Sequence, residues 1–164
     1  MILVTIGNDT HEFNRLLKKI EKISQKINDE FIIQRGYSSY IPKNCKIFKF
    51  KKKDEFLKLM KMADIIVTHG GVGSIMESIR LKKPTIVVPR RKKFNEHVND
   101  HQLDITKELE EQGKIIPVYD IEDLESAIKK ASDFKIKKEK YERTKIFNAI
   151  DKKLKEWDKN FNFN

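Results

Sequence analysis

Residue types that cross-link or anchor small proteins are scarce in this chain of 164 residues. Cys45 is the single cysteine, so no internal disulfide can form, and it has no neighbours at the spacing of metal ligands. No apolar run approaches the roughly 20 residues that a helix needs to cross a bilayer. The chain opens directly on a strand-like run with no secretory signal. We therefore expect a cytoplasmic protein of one domain's length.

Acidic residues are missing from two stretches that are rich in lysine and arginine. The net charge is +10; residues 43–53 hold six lysines and residues 82–93 hold six basic residues, with no acid in either. Residues 135–159 hold ten basic and five acidic residues. Such localised charge favours a phosphate-bearing or polyanionic partner, although lysine-rich composition also gives an ordinary solvated surface. Because no RNA-binding motif accompanies the charge, we expect no nucleic-acid partner.

Short apolar runs alternate with helical patterns along the chain. The runs begin near Ile2, Phe31, Ile47, Ile65, Thr85 and Ile115. Because these runs are apolar throughout, we expect a parallel sheet covered by helices on both faces. Right-handed crossovers then predict an α/β fold with a single Rossmann-like, doubly wound sheet of about six strands, ordered 3-2-1-4-5-6. Ligands of such sheets bind where the order reverses, which here lies between strands one and four.

The predicted sheet domain covers residues 1–132, and a different pattern occupies residues 133–164. A one-sided apolar seam with lysines between its members runs through the second segment, at Phe147, Ile150, Leu154, Trp157 and Phe161. This spacing predicts a basic amphipathic C-terminal helix. Its apolar face has three possible partners: the sheet of this domain, another subunit or a membrane surface.

A glycine cluster follows the fourth apolar run and precedes a helical pattern. The cluster holds Gly70, Gly71 and Gly73, with Ser74 directly after it. A strand, a tight turn and a helix N-terminus in this order present bare backbone N–H groups to an anion, and glycine lets a phosphate approach the backbone. The pattern is neither G-x-G-x-x-G nor a Walker A sequence, so a turn without a ligand is the alternative.

Three motifs in this part of the chain resemble a known family. They are Thr68-His-Gly-Gly-Val-Gly-Ser-Ile-Met-Glu77, Pro84-Thr-Ile-Val-Val-Pro-Arg90, and Glu96-His97 through His101-Gln102. Their order and separation are similar to the sugar-nucleotide-binding half of GT-B glycosyltransferases. More narrowly, the chain resembles the small Alg13-like and PssE-like subunits, which carry the family 28 glycosyltransferase C-terminal domain alone and are related to the C-terminal half of MurG. The resemblance runs from Ile2 to about Asp123.

The resemblance implies the donor-binding subunit of a two-component, inverting, metal-independent glycosyltransferase that needs no cofactor. The donor would be a UDP-sugar carrying a hexose or an N-acetylhexosamine. The acceptor would be a lipid-linked glycan in surface or capsular polysaccharide synthesis or a related pathway. A membrane-associated Alg14-like or PssD-like subunit would complete the cleft and hold this chain at the inner face of the membrane. The alternative is a non-catalytic enhancer subunit that only stabilises its partner.

Several residues around the glycine cluster are candidate ligands of the donor. We expect the cluster and Ser74 to cradle the pyrophosphate and Arg90 to neutralise it. The resemblance places His101 and Gln102 against the donor sugar. Gly7 and Asn8 follow the first strand at the same edge of the sheet, although relatives usually have Gly-Thr there.

Glu77 has two competing explanations. The resemblance places at this position the carboxylate that accepts both ribose hydroxyls of the nucleotide. The S-x-x-E sequence that begins at Ser74 instead predicts a capping box, which accounts for Glu77 by structure alone.

The candidates for catalysis are His69, Glu96 and His97, and we expect the general base to come from the partner subunit. His69 ends the fourth strand, where it faces the predicted crevice, but a lone histidine is more often structural. His97 and His101 are four residues apart without the H-E-x-x-H pattern, so no metal site is predicted.

Overall fold

A computed structural model describes residues 1–136 of the chain. Six strands form its sheet: β1 (Ile2–Thr5), β2 (Phe31–Gln34), β3 (Lys46–Phe48), β4 (Ile65–Thr68), β5 (Thr85–Val87) and β6 (Ile116–Pro117). The helices of this region are α1 (Asn14–Ser24), α2 (Lys53–Met62), α3 (Val72–Arg80), α4 (His101–Glu111) and α5 (Leu124–Ala131). The amphipathic helix predicted around residues 147–161 lies outside the described residues. The domain boundary at residue 132 stays a prediction.

The strands lie in the order β3-β2-β1-β4-β5-β6, and every neighbouring pair is parallel. This confirms the predicted doubly wound sheet. Strand β1 is central: Val4 pairs with Ile33 of β2 on one side and with Val67 of β4 on the other. The chain leaves β1 toward β2 and β3, and the later strands β5 and β6 lie beyond β4. The order therefore reverses between β1 and β4.

Alternate residues of the central strands enter different cores, because successive side chains of a strand point to opposite faces. Val4 and Val67 pack with the apolar stripe of α1, which includes Leu17 and Ile20. Leu3 and Ile66, one position earlier, pack instead with Met60 of α2. On β5, Val87 packs against α3 and α4. Helices thus cover both faces, as the continuous apolar runs predict.

Helix α5 is absent from the sequence predictions. Its buried residues are Leu124, Ala127, Ile128 and Ala131, and they join the same core as α1. These residues follow the i, i+3, i+4, i+7 spacing of an amphipathic helix. The small side chains of the two alanines weaken that signal in the sequence, although the spacing is sufficient to find it.

The loops that follow β1 and β4 begin at the same edge of the sheet. Thr5 and Thr68 are paired at the carboxyl ends of β1 and β4. The chain continues from them into Gly7 and His69, which are therefore neighbours despite their separation in sequence. Among the residues that the structure describes, no helix combines the length and apolar character needed to span a bilayer.

Candidate functional site

A cleft of about 440 Å³ opens at this edge of the sheet, above the boundary between β1 and β4. Its lining residues are Gly7, Asn8, Gln34, Lys51, Lys53, Phe56, His69, Gly71, Gly73 and Ser74. Six of these were candidates from the sequence, and the structure brings them together from two separate loops. The cleft lies where a doubly wound sheet binds its ligand.

The first turn of α3 forms one wall of the cleft. Gly71 is its N-cap residue, and no side chain of the described chain caps the helix. The first N–H groups of an α-helix have no acceptor within the helix, and the helix dipole adds partial positive charge there. At Gly73, no described atom beyond its chain neighbours and the adjoining backbone of α3 lies within 4 Å of the position that a Cβ would take. The wall therefore offers backbone N–H groups to an anion without a side chain in between.

The capping box predicted between Ser74 and Glu77 is wrong. Because the helix begins at Val72, Ser74 already lies inside its first turn. Glu77 pairs instead with Arg80, whose Nε donates to Oε1 at 3.2 Å. Glu77 lies one turn after Gly73 and so on the same side of the helix as the open position. The structural role that the described residues give Glu77 is therefore a partly exposed ion pair with Arg80, and not a helix cap.

The imidazole of His69 is packed between two glycines. A Cβ at Gly7, where φ is +74°, or at Gly71 would overlap the ring, so both positions require glycine. His69 is 9% exposed, and its Nδ1 lies 3.4 Å from Oγ1 of Thr68. Burial, followed by the positive charge of Arg90, lowers the pKa of His69 to about 4. The ring is therefore neutral at pH 7 and can offer a ligand a hydrogen bond but no charge.

Arg90 does not face the cleft. Its side chain is 0% exposed. Its Nη1 donates to the carbonyls of His11 at 2.8 Å and Glu96 at 3.0 Å, and its Nη2 donates to the carbonyl of Ile6 at 2.9 Å. The guanidinium also lies 4.8 Å from the ring centre of Phe13. Arg90 therefore ties together the loops that follow β1 and β5, and the expected contact with a diphosphate gives way to this structural role.

Glu96 is also engaged inside the protein. Arg15 donates to both of its oxygens, from Nε at 2.8 Å and from Nη2 at 2.9 Å, and the backbone N–H of Arg91 donates to Oε2 at 3.1 Å. This bidentate pair fastens the loop after β5 to α1. The arrangement gives Glu96 a structural function and does not support it as a catalytic residue.

Gln102 holds the glycine turn in place. Its Oε1 accepts from the backbone N–H of Gly70 at 3.0 Å and from that of Arg90 at 3.0 Å. The side chain therefore joins the ends of β4 and β5 to the first turn of α4. Gln102 and its neighbour His101 lie beside the cleft rather than in its lining. A contact of either with a donor sugar stays a prediction.

The sequence did not identify four lining residues, Gln34, Lys51, Lys53 and Phe56. Gln34 ends β2; its Oε1 accepts from Thr5 at 2.5 Å and its Nε2 donates to Asn8 at 3.3 Å. The two lysines belong to the acid-free stretch 43–53, whose charge was visible in the sequence. What the sequence could not give was the path of the loop between β3 and α2, which brings that charge to the cleft.

Arg90→Met tests the structural role of the buried guanidinium. The change leaves three backbone carbonyls without their donor, so we expect the free energy of unfolding to fall by about 3 kcal/mol or more. Arg91→Met is the matched control, because Arg91 is partly exposed and lies 3.5 Å from Asp100; it should cost about 1 kcal/mol or less. Urea denaturation measures both. Equal stabilities of the two variants would contradict this role.

The low pKa of His69 predicts a loss of stability in acid. Between its ordinary pKa of 6.5 and its folded pKa of about 4, the unfolded chain binds more protons than the folded one. The free energy of unfolding therefore falls as the pH decreases through this window, by up to roughly 3 kcal/mol. His69→Gln should remove this part of the dependence. Denaturation at a series of pH values gives the free energy of unfolding of each protein. The difference between the two proteins should be constant above about pH 7 and should change below it. A constant difference at every pH would contradict the burial of a neutral ring.

Comparison with known proteins places this fold and cleft in a family. The model of the glycosyltransferase family 28 C-terminal domain matches residues 1–159. This match extends beyond the segment from Ile2 to about Asp123 on which the motifs lie.

Curated relatives carry the name UDP-N-acetylglucosamine transferase subunit ALG13. The chain is 27% identical to the human protein over 125 residues, which is 70% of this chain and 10% of that protein. It is 30% identical to the Saccharomyces cerevisiae protein over 123 residues, which is 70% of this chain and 58% of that protein. The chain thus spans about a tenth of the human relative and somewhat over half of the yeast one.

Solved structures agree on the fold. An NMR solution structure of ALG13 is matched with a TM-score of 0.56 and 22% identity, over 83% of this chain and 87% of that one. MurG from Acinetobacter baumannii is matched with a TM-score of 0.55 and 17% identity, over 78% of this chain and 40% of that one. With the sheet order, the open helix end and the family match in agreement, the chain belongs to the glycosyltransferase family 28 C-terminal domain family.

Proposed function

We propose that this chain is the donor-binding subunit of a two-component glycosyltransferase. The observation that carries the proposal is the N-terminus of α3, which opens on the cleft without a capping side chain of the described chain. Backbone N–H groups in this arrangement suit the diphosphate of a nucleotide sugar. Membership of a glycosyltransferase family supports this choice of anion.

The charges around the cleft suit the same ligand. Lys51 and Lys53 line the cleft and bring positive charge toward a diphosphate, while His69 contributes a neutral hydrogen-bonding ring. In the reaction, the N–H groups of α3 would stabilise the diphosphate as it leaves, since charge develops there when the glycosidic bond breaks. The remaining contribution of this subunit is to hold the donor in position.

Glu77 is the residue we assign to the ribose. It lies one helical turn beyond the open position at Gly73, and no capping role accounts for it. A carboxylate offers two acceptor oxygens to the two hydroxyls of a ribose. In the free protein the carboxylate accepts a hydrogen bond from Nε of Arg80.

A UDP-linked N-acetylhexosamine is the donor that we propose, because the ALG13 relatives are named for UDP-N-acetylglucosamine. A UDP-hexose is the other donor implied by the family resemblance. The acceptor would be a lipid-linked glycan, in surface polysaccharide synthesis or in a pathway of the N-glycan type.

The proposed activity uses a second subunit. The fold shared with MurG accounts for 40% of the MurG chain. We propose that a membrane-associated Alg14-like or PssD-like subunit contributes the acceptor side and places this chain at the cytoplasmic face of a membrane.

Glu77→Gln tests the donor site directly. The substitution preserves shape but removes the charge-assisted hydrogen bonds to a ribose, so we expect the affinity for UDP to fall about 10-fold or more. Because Glu77 makes only a partly exposed ion pair, the cost in stability should be about 0.5 kcal/mol or less. Calorimetric titration of UDP and UDP-N-acetylglucosamine, with the chain alone and in complex with its partner, measures the affinity.

Glu125→Gln is the matched control for this experiment. Glu125 lies on α5 and pairs with Lys129 at 2.7 Å and with Lys26, which follows α1, at 3.0 Å, so the same chemical change removes ion pairs on a helix other than α3. The control should retain the affinity of the unmodified chain for UDP. If the unmodified chain binds no UDP even in the complex, the donor-site proposal fails and the enhancer role becomes the better account.

A further inference from the structure

A cluster of one aspartate and two histidines lies next to the cleft. Asp9 directly follows Asn8, which lines the cleft, and the cluster is completed by His11 and His97. His11 also lines a second cleft of about 340 Å³. The other residues around that second cleft are Glu12, Asn14, Arg15, Phe94, Asn95 and Glu96. The loop after β1 therefore borders both clefts and carries Asp9 and His11, while His97 comes from the loop after β5.

Asp9 fixes the tautomer of His11. Oδ1 of Asp9 accepts from the backbone N–H of His11 at 2.7 Å and lies 2.7 Å from Nδ1 of the same residue. Burial opposes the ionisation of Asp9, but the hydrogen bonds from His11 and the charge of Arg90 outweigh it and lower the pKa of Asp9. An ionised carboxylate requires a proton on Nδ1, so the lone pair of a neutral His11 is on Nε2.

The other candidate bases around the two clefts are already engaged. Nδ1 of His97 accepts from the backbone N–H of Asn99 at 3.3 Å, and its Nε2 faces Oδ2 of Asp9 at 3.6 Å. His69 resists a proton, because burial keeps its pKa at about 4. Glu96 is held by Arg15. In the described part of the chain, no hydrogen-bond partner occupies Nε2 of His11, whose side chain is 33% exposed.

The second cleft offers groups that suit a sugar hydroxyl. Asn14 lines this cleft together with His11, and its Oδ1 is buried without a partner among the described residues. Phe94 is 49% exposed and also lines this cleft, and the guanidinium of Arg15 lies 4.8 Å from its ring centre. An unsatisfied buried acceptor is costly unless a ligand or water donates to it.

We propose that His11 is the general base of the transfer reaction and that the second cleft receives the hydroxyl-bearing end of the acceptor. This inference rests on the proposed function. Nε2 of His11 takes the proton of the acceptor hydroxyl while its oxygen bonds to the anomeric carbon of the donor. The bond between that carbon and the diphosphate oxygen breaks, and its electron pair leaves with the nucleoside diphosphate. Asp9 stabilises the imidazolium, which then releases its proton to water.

The charged groups that surround His11 also influence how the rate of this reaction depends on pH. They are Asp9 and Glu12 on its own loop, Arg15 on α1, Arg90 at the end of β5, and Glu96 and His97 on the loop after β5. Of these, His97 is the other imidazole, and it faces the same carboxylate of Asp9. It therefore provides the matched control.

The test uses the chain in complex with its partner subunit, isolated from the native host, and follows transfer from UDP-N-acetylglucosamine between about pH 5 and about pH 9. His11→Gln should lower kcat about 100-fold or more, without a comparable change in the KM for the donor. It should also abolish the loss of rate that the unmodified complex shows toward acid. His97→Gln should lower kcat by less than about 10-fold and retain that acidic limb.

Three outcomes overturn the proposal. One is His11→Gln with kcat within about threefold of the unmodified complex; another is an acidic limb that disappears in His97→Gln and persists in His11→Gln. The third needs no variant: nitrogen NMR of the unmodified protein should show neutral His11 with its proton on Nδ1, and a proton on Nε2 contradicts the inference. Calorimetry with UDP separates these outcomes from failure of the proposed function. If the unmodified complex binds UDP but one of these three outcomes is found, the assignment of His11 fails and the proposed donor site stands.

Discussion

The buried guanidinium of Arg90 is the interaction on which this edge of the sheet depends. Its donors reach the carbonyls of Ile6, His11 and Glu96, so one side chain fixes the end of β1 and both loops that border the clefts. Burying a cation is costly unless hydrogen bonds compensate for the lost hydration. Three carbonyls, the face of Phe13 and the nearby carboxylates of Asp9 and Glu96 offset this cost, although Nε is buried without a partner among the described residues.

The same charge sets the protonation states around it. After burial, the positive charge of Arg90 is the largest influence that lowers the pKa of His69, and it also helps to keep Asp9 ionised. An ionised Asp9 in turn orders the ring of His11. One buried cation thus contributes to both the neutral ring of His69 and the ionised Asp9 that orients His11, beside burial in the first case and the hydrogen bonds from His11 in the second. The surroundings of these two histidines therefore give them different properties: His69 is held neutral, and His11 is held in one tautomer.

Sequence patterns predicted the sheet and the cleft because both depend on regular spacing and topology. The apolar runs indicated parallel strands, and the order of strands brought Gly7 and His69 together. The roles of Glu77, Arg90 and Glu96 were harder to predict, because they depend on where a helix begins and on which way a side chain turns. S-x-x-E indicated a cap, but α3 begins at Val72. His11 gave no signal, since only the folded loop brings it against Asp9 and beside His97.

Because Arg90 turns away from the cleft, its side chain adds no charge to the lining. The glycine turn and Ser74 contribute backbone N–H groups and a hydroxyl to the lining, His69 is neutral, and Lys51 and Lys53 are the positive side chains that the described residues add to it. Backbone dipoles are fixed in direction, so they can recognise the position of a diphosphate without rearranging as its charge develops. The lysines attract anions over a longer range but, as exposed charges, are screened by salt. In this proposal the two lysines attract the donor to the cleft, and the backbone N–H groups orient it there.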